Sequence, residues 1–164
     1  KMSACTSRCR HIYSKYIYII WIIMSIIHKI DIDASKEAVF ALYEDVKSWS
    51  LWDSETEAVH LAEGLRPGAE GWLKTRKGPK ARIVVSEVVQ GRSFTVLGLL
   101  PFCQMHFGHE LESKGTRTTV THWVRFTGPL AFLFRLMIGS GIDATLPNTL
   151  IGLKRASENT GAGA

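Results

Sequence analysis

The spacing of apolar residues changes period twice along the chain. Ile26, Ile30 and Ile32 alternate with polar neighbours and predict a strand near 25–33. Val39, Leu42, Tyr43 and Val46 then fall at helical spacing behind Ser35, which stands in N-cap position, with Ala38 where a capping box would place Glu. Trp49 and Trp52, three apart, can share one face of a short second helix or turn. From there the pattern alternates between turn signals at Gly64, Pro67-Gly68, Gly78-Pro79, Gln90-Gly91 and Lys114-Gly115. Strands are expected near 56–63, 69–77, 80–89, 92–98, 103–113 and 116–127, an antiparallel meander that makes seven with the first. Helical spacing returns from Pro129 to Ser157, with Leu130, Phe134, Ile138, Ile142, Leu146 and Leu150 at every fourth position. Each step of four advances the face by about 40°, so a straight helix cannot hold that stripe on one core. Gly139-Ser140-Gly141 and Pro147 are where it is expected to bend, break or wrap. Residues 159–164 have nothing to bury and are expected to be disordered.

Ahead of the first strand, Tyr16–Ile27 is apolar for twelve residues behind Arg8, Arg10 and Lys15. That is short of the ~20 residues of a spanning helix, and no small-residue cleavage site follows. We read residues 1–23 as a leader that is not part of the domain, with a native start expected near Met24; a genuine leader would extend the first strand or cover a partner surface. The charge depends on this division. The whole chain carries 20 Lys+Arg against 15 Asp+Glu, but Lys1, Arg8, Arg10 and Lys15 lie in the leader with no acid beside them, so the 141-residue body is nearly neutral. That balance argues against a nucleic-acid surface. Cys5 and Cys9 also fall in the leader, leaving Cys103 as the body's one thiol, which agrees with a reducing, cytoplasmic setting.

The residues IDIDASKEAVFALYEDVKSWSLWD at 30–53, GLRPGAEG at 64–71, SEVVQGRSF at 86–94 and DATLPNTLIGLKRASE at 143–158 resemble the SRPBCC (START-like) superfamily, and within it the polyketide cyclase/dehydrase family. The resemblance spans about 24–158. It implies an α+β helix-grip fold, in which a curved seven-strand antiparallel sheet wraps a long C-terminal helix, two short helices follow strand 1, and a cavity holds a small hydrophobic molecule. Family members include cyclases, lipid carriers, ligand receptors and quinone-binding proteins, so the fold does not name the reaction.

Strand alternation then picks out candidate lining residues. With Lys114-Gly115 as the last loop, His109 pairs with Val120 and Phe107 with His122. One face carries Cys103, Met105, Phe107, His109, Leu111, Val120, His122, Val124 and Phe126, and is the concave one. His109 and His122 become diagonal neighbours roughly 7 Å apart at Cα. They could orient a ligand oxygen, serve as acid and base, or be core histidines satisfied by backbone or water. Three function readings remain open. The first is a binding protein for a lipid-like, aromatic or polyketide-like molecule, lined by Phe94, Met105, Phe107, His109, Val120, His122, Val124, Phe126 and Met137. The second is a cyclase/dehydrase-type enzyme centred on His109 and His122; the third is a partner-binding subunit whose cavity is filled. The partners expected are a small hydrophobic molecule and at most a second copy, as a monomer or homodimer, with no cofactor and no transmembrane segment. Cys103 is too far along the strand from His109 to share a metal, and no metal-ligand, nucleotide or nucleophile-elbow spacing occurs. Lys74, Arg76, Lys77, Lys80 and Arg82 crowd the Gly78-Pro79 hairpin, as a solvated edge or as a surface for an acidic partner or membrane. Trp49, Trp52 and Trp72 could stack on a flat ligand, or the first two could seal the small helices.

Overall fold

The computed structural model describes residues 25–161. Seven strands form one antiparallel sheet: β1 Ser25–Ile32, β2 Thr56–Leu61, β3 Glu70–Thr75, β4 Lys80–Val89, β5 Ser93–Leu100, β6 Cys103–Lys114 and β7 Arg117–Thr127. Their order is β1-β7-β6-β5-β4-β3-β2, so six strands run as a meander and β1 closes against the last of them. Helix α1 (Lys36–Glu44), a 3-10 turn (Val46–Ser48) and α2 (Trp49–Trp52) link β1 to β2, and α3 (Ala131–Gly161) closes the chain. This is the helix-grip fold.

Ser35 caps α1, its hydroxyl accepting from the Ala38 N–H, and the helix turns Val39, Phe40 and Tyr43 inward. Each fully buried side chain of that size contributes roughly 1.5–3 kcal/mol. Two apolar clusters result. One joins α1, Trp49, Ile83, Val85, Phe94, Val120, Leu150 and Leu153; the other joins Ile26, Val124, Phe126, Ala131 and Leu146.

The last hairpin differs from the expected register by one pair. Its two-residue loop is Gly115-Thr116, which sets Lys114 opposite Arg117 and His109 directly opposite His122. Gly115 has φ +65° while Thr116 stays in the ordinary half of φ space, the demand of a II′ turn with Gly at its first central position. The shift moves each pairing by two residues in sum, so every side chain keeps its expected face.

Helix α3 is unbroken through Gly139–Gly141 and Pro147, so of the bend, break or wrap expected there the break does not occur. The stripe still drifts as its four-residue spacing requires. Phe134, Ile138, Ile142 and Leu146 meet the second cluster, and Leu150 and Leu153 the first, where a step of three turns the face back. Leu130 precedes the helix and is partly exposed. The helix runs to Gly161, beyond the expected end near Ser157, so residues 159–161 are helical where disorder was expected; the rest of the tail lies outside the described residues, as do the leader and Met24. Among the described residues no helix is long and apolar enough to cross a membrane.

Candidate functional site

The C-terminal half of α3 is pinned. Gly152 lies so close to the Trp52 carbonyl that a Cβ would stand 1.8 Å from its oxygen. The Thr149 hydroxyl donates to Asp53 at 2.7 Å, and the Lys154 amine donates to the Asp31 carbonyl at 2.6 Å. The helix leans mainly on β1 and β7 and only slightly on β6. It therefore covers one half of the concave face. Beyond it, Met105, Phe107 and His109 on β6 are only half-buried, as are Phe134, Ile138 and Ile142 on the facing side of the helix. Gly98 on β5 adds space, since a Cβ there would meet Phe107 and Met105 only at ordinary contact distances of 3.5–3.7 Å. These half-buried apolar side chains pack against the second cluster and mark the less covered part of the concave face, between the N-terminal half of α3 and β5–β6, which is the candidate cleft.

A polar row crosses the concave face at the inner end of this cleft. His28 on β1 is opposite His122 on β7, His122 opposite His109 on β6, and His109 opposite Phe94 on β5. The His109 and His122 rings meet edge to face at 4.4 Å between centroids, and His109 stacks on Phe94 at 4.0 Å with the planes 4° apart. From α1, the Tyr43 hydroxyl hydrogen-bonds with His122 Nε2 at 2.7 Å. At the outer end, His28 Nε2–H donates to Asp143 on α3 at 2.7 Å.

Burial dominates the electrostatics of this row. It pushes the His109 pKa down to about 3, against an opposing pull from the Phe94 and Phe107 backbone. The His122 imidazole is lowered in the same way, first by burial and then by His109 beside it. Tyr43 is raised well above its ordinary value, by burial first and by Asp53 second. All three groups are neutral near pH 7. His122 has its partner in Tyr43, whereas His109 Nδ1 is sealed with the Phe94 and Phe107 backbone near it but makes no hydrogen bond of good geometry. An unpaired buried polar nitrogen costs roughly 1–3 kcal/mol, and such groups in native structures call for an explanation. His109 is half-buried as a residue while its Nδ1 is closed off and the ring is strongly desolvated, so the accessibility that remains lies elsewhere on the residue.

The candidate lining residues divide by accessibility. Met105, Phe107 and His109 border the cleft. Phe94, Val120, His122, Val124 and Phe126 share the concave face but are closed over as core. Met137 is a correction: it points away from the sheet and is 64% exposed, because it sits one residue ahead of Ile138 on a helix that turns 100° per residue. Trp72 is a second, since it lies on the outer face beneath the Lys80 amine, 3.6 Å from its ring centroid, and beside His60. Trp49 is buried, its indole N–H donating to the Tyr43 carbonyl, and Trp52 packs edge-on against the Tyr43 ring, so both seal the small helices. Tyr43 and His28 were not singled out from sequence as site residues. The signal for His28 was present, because alternation places it on the same face as Ile26, Ile30 and Ile32. Among the described residues, no three His, Cys, Asp or Glu side chains converge to hold a metal ion.

Comparison with known proteins follows the fold. The Zhui aromatase/cyclase from Streptomyces sp. R1128 superposes with a TM-score of 0.68 at 14% identity, covering 82% of this chain and 93% of that one. A hypothetical protein from Helicobacter pylori gives 0.67 at 12%, covering 81% and 87%. A putative protein of the dynemicin biosynthetic locus gives 0.63 at 16%, covering 80% of this chain and 46% of the other. Identities this low show the shared fold alone. No curated protein matches. Residues 25–158 match the sequence family described as polyketide cyclase/dehydrase and lipid transport, and the chain belongs to that family.

Proposed function

We propose that the protein binds a small, predominantly apolar molecule carrying one hydroxyl or carbonyl oxygen, held in the cleft between α3 and β5–β6 with His109 as its polar contact. The observation that carries this reading is the combination at His109. A neutral, half-buried imidazole stands among the apolar, half-buried side chains Met105, Phe107, Phe134, Ile138 and Ile142, and with its Nδ1 edge closed off, the other edge of the ring is the one left for a ligand oxygen. The description of the family, and the aromatase/cyclase among the structures of like fold, agree with a ligand of this kind. The geometry favours holding a ligand over acid–base catalysis by the two histidines. A base whose pKa lies near 3 captures a proton poorly at neutral pH, and His122 is committed to Tyr43. A neutral site also favours a neutral ligand, since a buried charge would have no counter-ion there.

Calorimetric titration with 2-naphthol, an apolar body with one hydroxyl, tests the reading. The parent protein is expected to bind it more tightly than naphthalene. His109→Phe should weaken 2-naphthol by about tenfold, the worth of one hydrogen bond, while leaving naphthalene unchanged or tighter. Equal effects of the substitution on both compounds would refute His109 as the polar contact, and failure of both to bind would refute the cleft.

A further inference from the structure

Beyond the cleft itself, we infer that one end of the fold docks on an anionic lipid bilayer, presenting the mouth of the cleft to the membrane surface.

The end in question holds the β5–β6 turn, the start of α3 and the β3–β4 hairpin. Phe102 is 76% exposed, Phe132 73% and Leu136 70%, with Leu133 and Met137 beside them. The Leu130 N–H donates to the Phe102 carbonyl, which ties the turn to the beginning of the helix and makes these side chains neighbours. Phe102 also has φ +55°, the one non-glycine residue with positive φ among the described residues. A bulky residue rarely tolerates that region, and a glycine or asparagine would be cheaper. Between Phe102 and the start of α3 lies an open groove of about 380 Å³, lined by Leu99, Leu100, Phe102, Gln104 and Pro129 among others.

Charge separates a bilayer from other occupants. Residues 97–104 carry no charge, and residues 128–142 carry Arg135 alone. Arg82 is opposite Leu99, so the β3–β4 hairpin turns over at the same end, two strands from Phe102 and about 10 Å away at ordinary strand spacing. It presents Arg76, Lys77 and Lys80, all exposed. The nearby Glu57 is matched by Lys74 at 3.4 Å, which leaves the hairpin net positive. Large apolar and aromatic side chains on a first stretch of helix, residues 131–142, that carries no acid, flanked by cations, make the profile of an interfacial segment rather than a spanning one. The chain ahead of β1 has the same character. Ser25 is opposite Arg125, two residues before β7 ends, so the chain enters the fold at this end, and residues 1–30 contain no Asp or Glu.

Co-sedimentation of the full chain with vesicles of phosphatidylcholine alone, or with 30% phosphatidylglycerol, tests the inference. The parent is expected to pellet with the anionic vesicles and to be largely released by 0.5 M salt. Lys77→Glu with Lys80→Glu should weaken binding by at least about twenty-fivefold, at about fivefold per cation lost near an anionic surface. Phe102→Asn with Phe132→Ser and Leu136→Ser should reduce it at least as much, and because these positions are exposed, the variants should melt within a few degrees of the parent. No binding by the parent would overturn the inference. So would undiminished binding by both variants, which would assign the attachment to residues 1–24. Concentration-dependent dimers that dissociate on the Phe102 and Phe132 substitutions, with no vesicle binding, would assign the face to a second copy and overturn it equally.

Discussion

Acid should unfold this protein through its interior histidines before its carboxylates. An unfolded histidine titrates near 6.5, whereas burial in the fold pushes His109 down to about 3. The folded state therefore binds fewer protons than the unfolded state between those values, and stability falls as pH falls through that window. Integrating the difference from pH 7.5 to pH 5.0 gives a loss of about 2 kcal/mol for His109 alone. His122, lowered by burial and by His109, adds a loss of the same sign, and so does His106, lowered by burial first and Arg125 second. The carboxylates that are lowered, Asp31 and Glu158, stabilise the fold above their unfolded values near 4 and lose that contribution only in stronger acid. Urea unfolding at pH 7.5, 6.5 and 5.0 should show the parent weakening steeply, and His109→Phe losing about 2 kcal/mol less over the same range. The phenyl ring preserves the stack on Phe94, so the variant is expected to remain folded at pH 7.5. Parallel pH dependence in the two proteins would refute the claim that His109 is held neutral by burial.

Tyr43→Phe should leave the buried His122 Nε2 without its partner and cost about 1–3 kcal/mol, measured by urea unfolding at pH 7.5. Gly152→Ala should cost about 1–3 kcal/mol or more in the same assay, because the added methyl meets the Trp52 carbonyl, which is backbone, and α3 must shift away from α2. Asp53→Ala should destabilise by about 2 kcal/mol, since its carboxylate accepts from the Glu55 N–H and from the Thr56 and Thr149 hydroxyls.

The strands were legible because one face of each is buried, which writes a period of two into the sequence, and because glycine marks the tight turns. The hairpin at Gly115 shows the limit. Either two-residue loop around that glycine puts every side chain on the same face, and only the backbone demand of a II′ turn, Gly first and Thr116 second, selects the pairing. The consequence falls on the site, because it makes His109 and His122 direct neighbours. Met137 failed for a different reason. An apolar residue next to a helical stripe reads as core by composition, while its exposure depends on a phase that drifts along α3. Tyr43 reaching His122 joins residues 79 apart, and no local pattern encodes that contact. The exposed end at Phe102 and Phe132 was equally hidden, since hydrophobicity alone does not distinguish a side chain that is buried from one left uncovered.

The claim that the concave face holds a ligand is tested most directly by native mass spectrometry of the parent and of Gly98→Val, with the bound molecule released under denaturing conditions. The valine side chain would project into the cleft beside Phe107 and Met105 at ordinary contact distance. The expected result is a parent carrying an excess mass of one small organic molecule, and a variant that lacks it while melting no lower. A parent of bare mass that takes up no 2-naphthol, together with a variant destabilised by the 1–3 kcal/mol typical of overpacking a closed core, would contradict it.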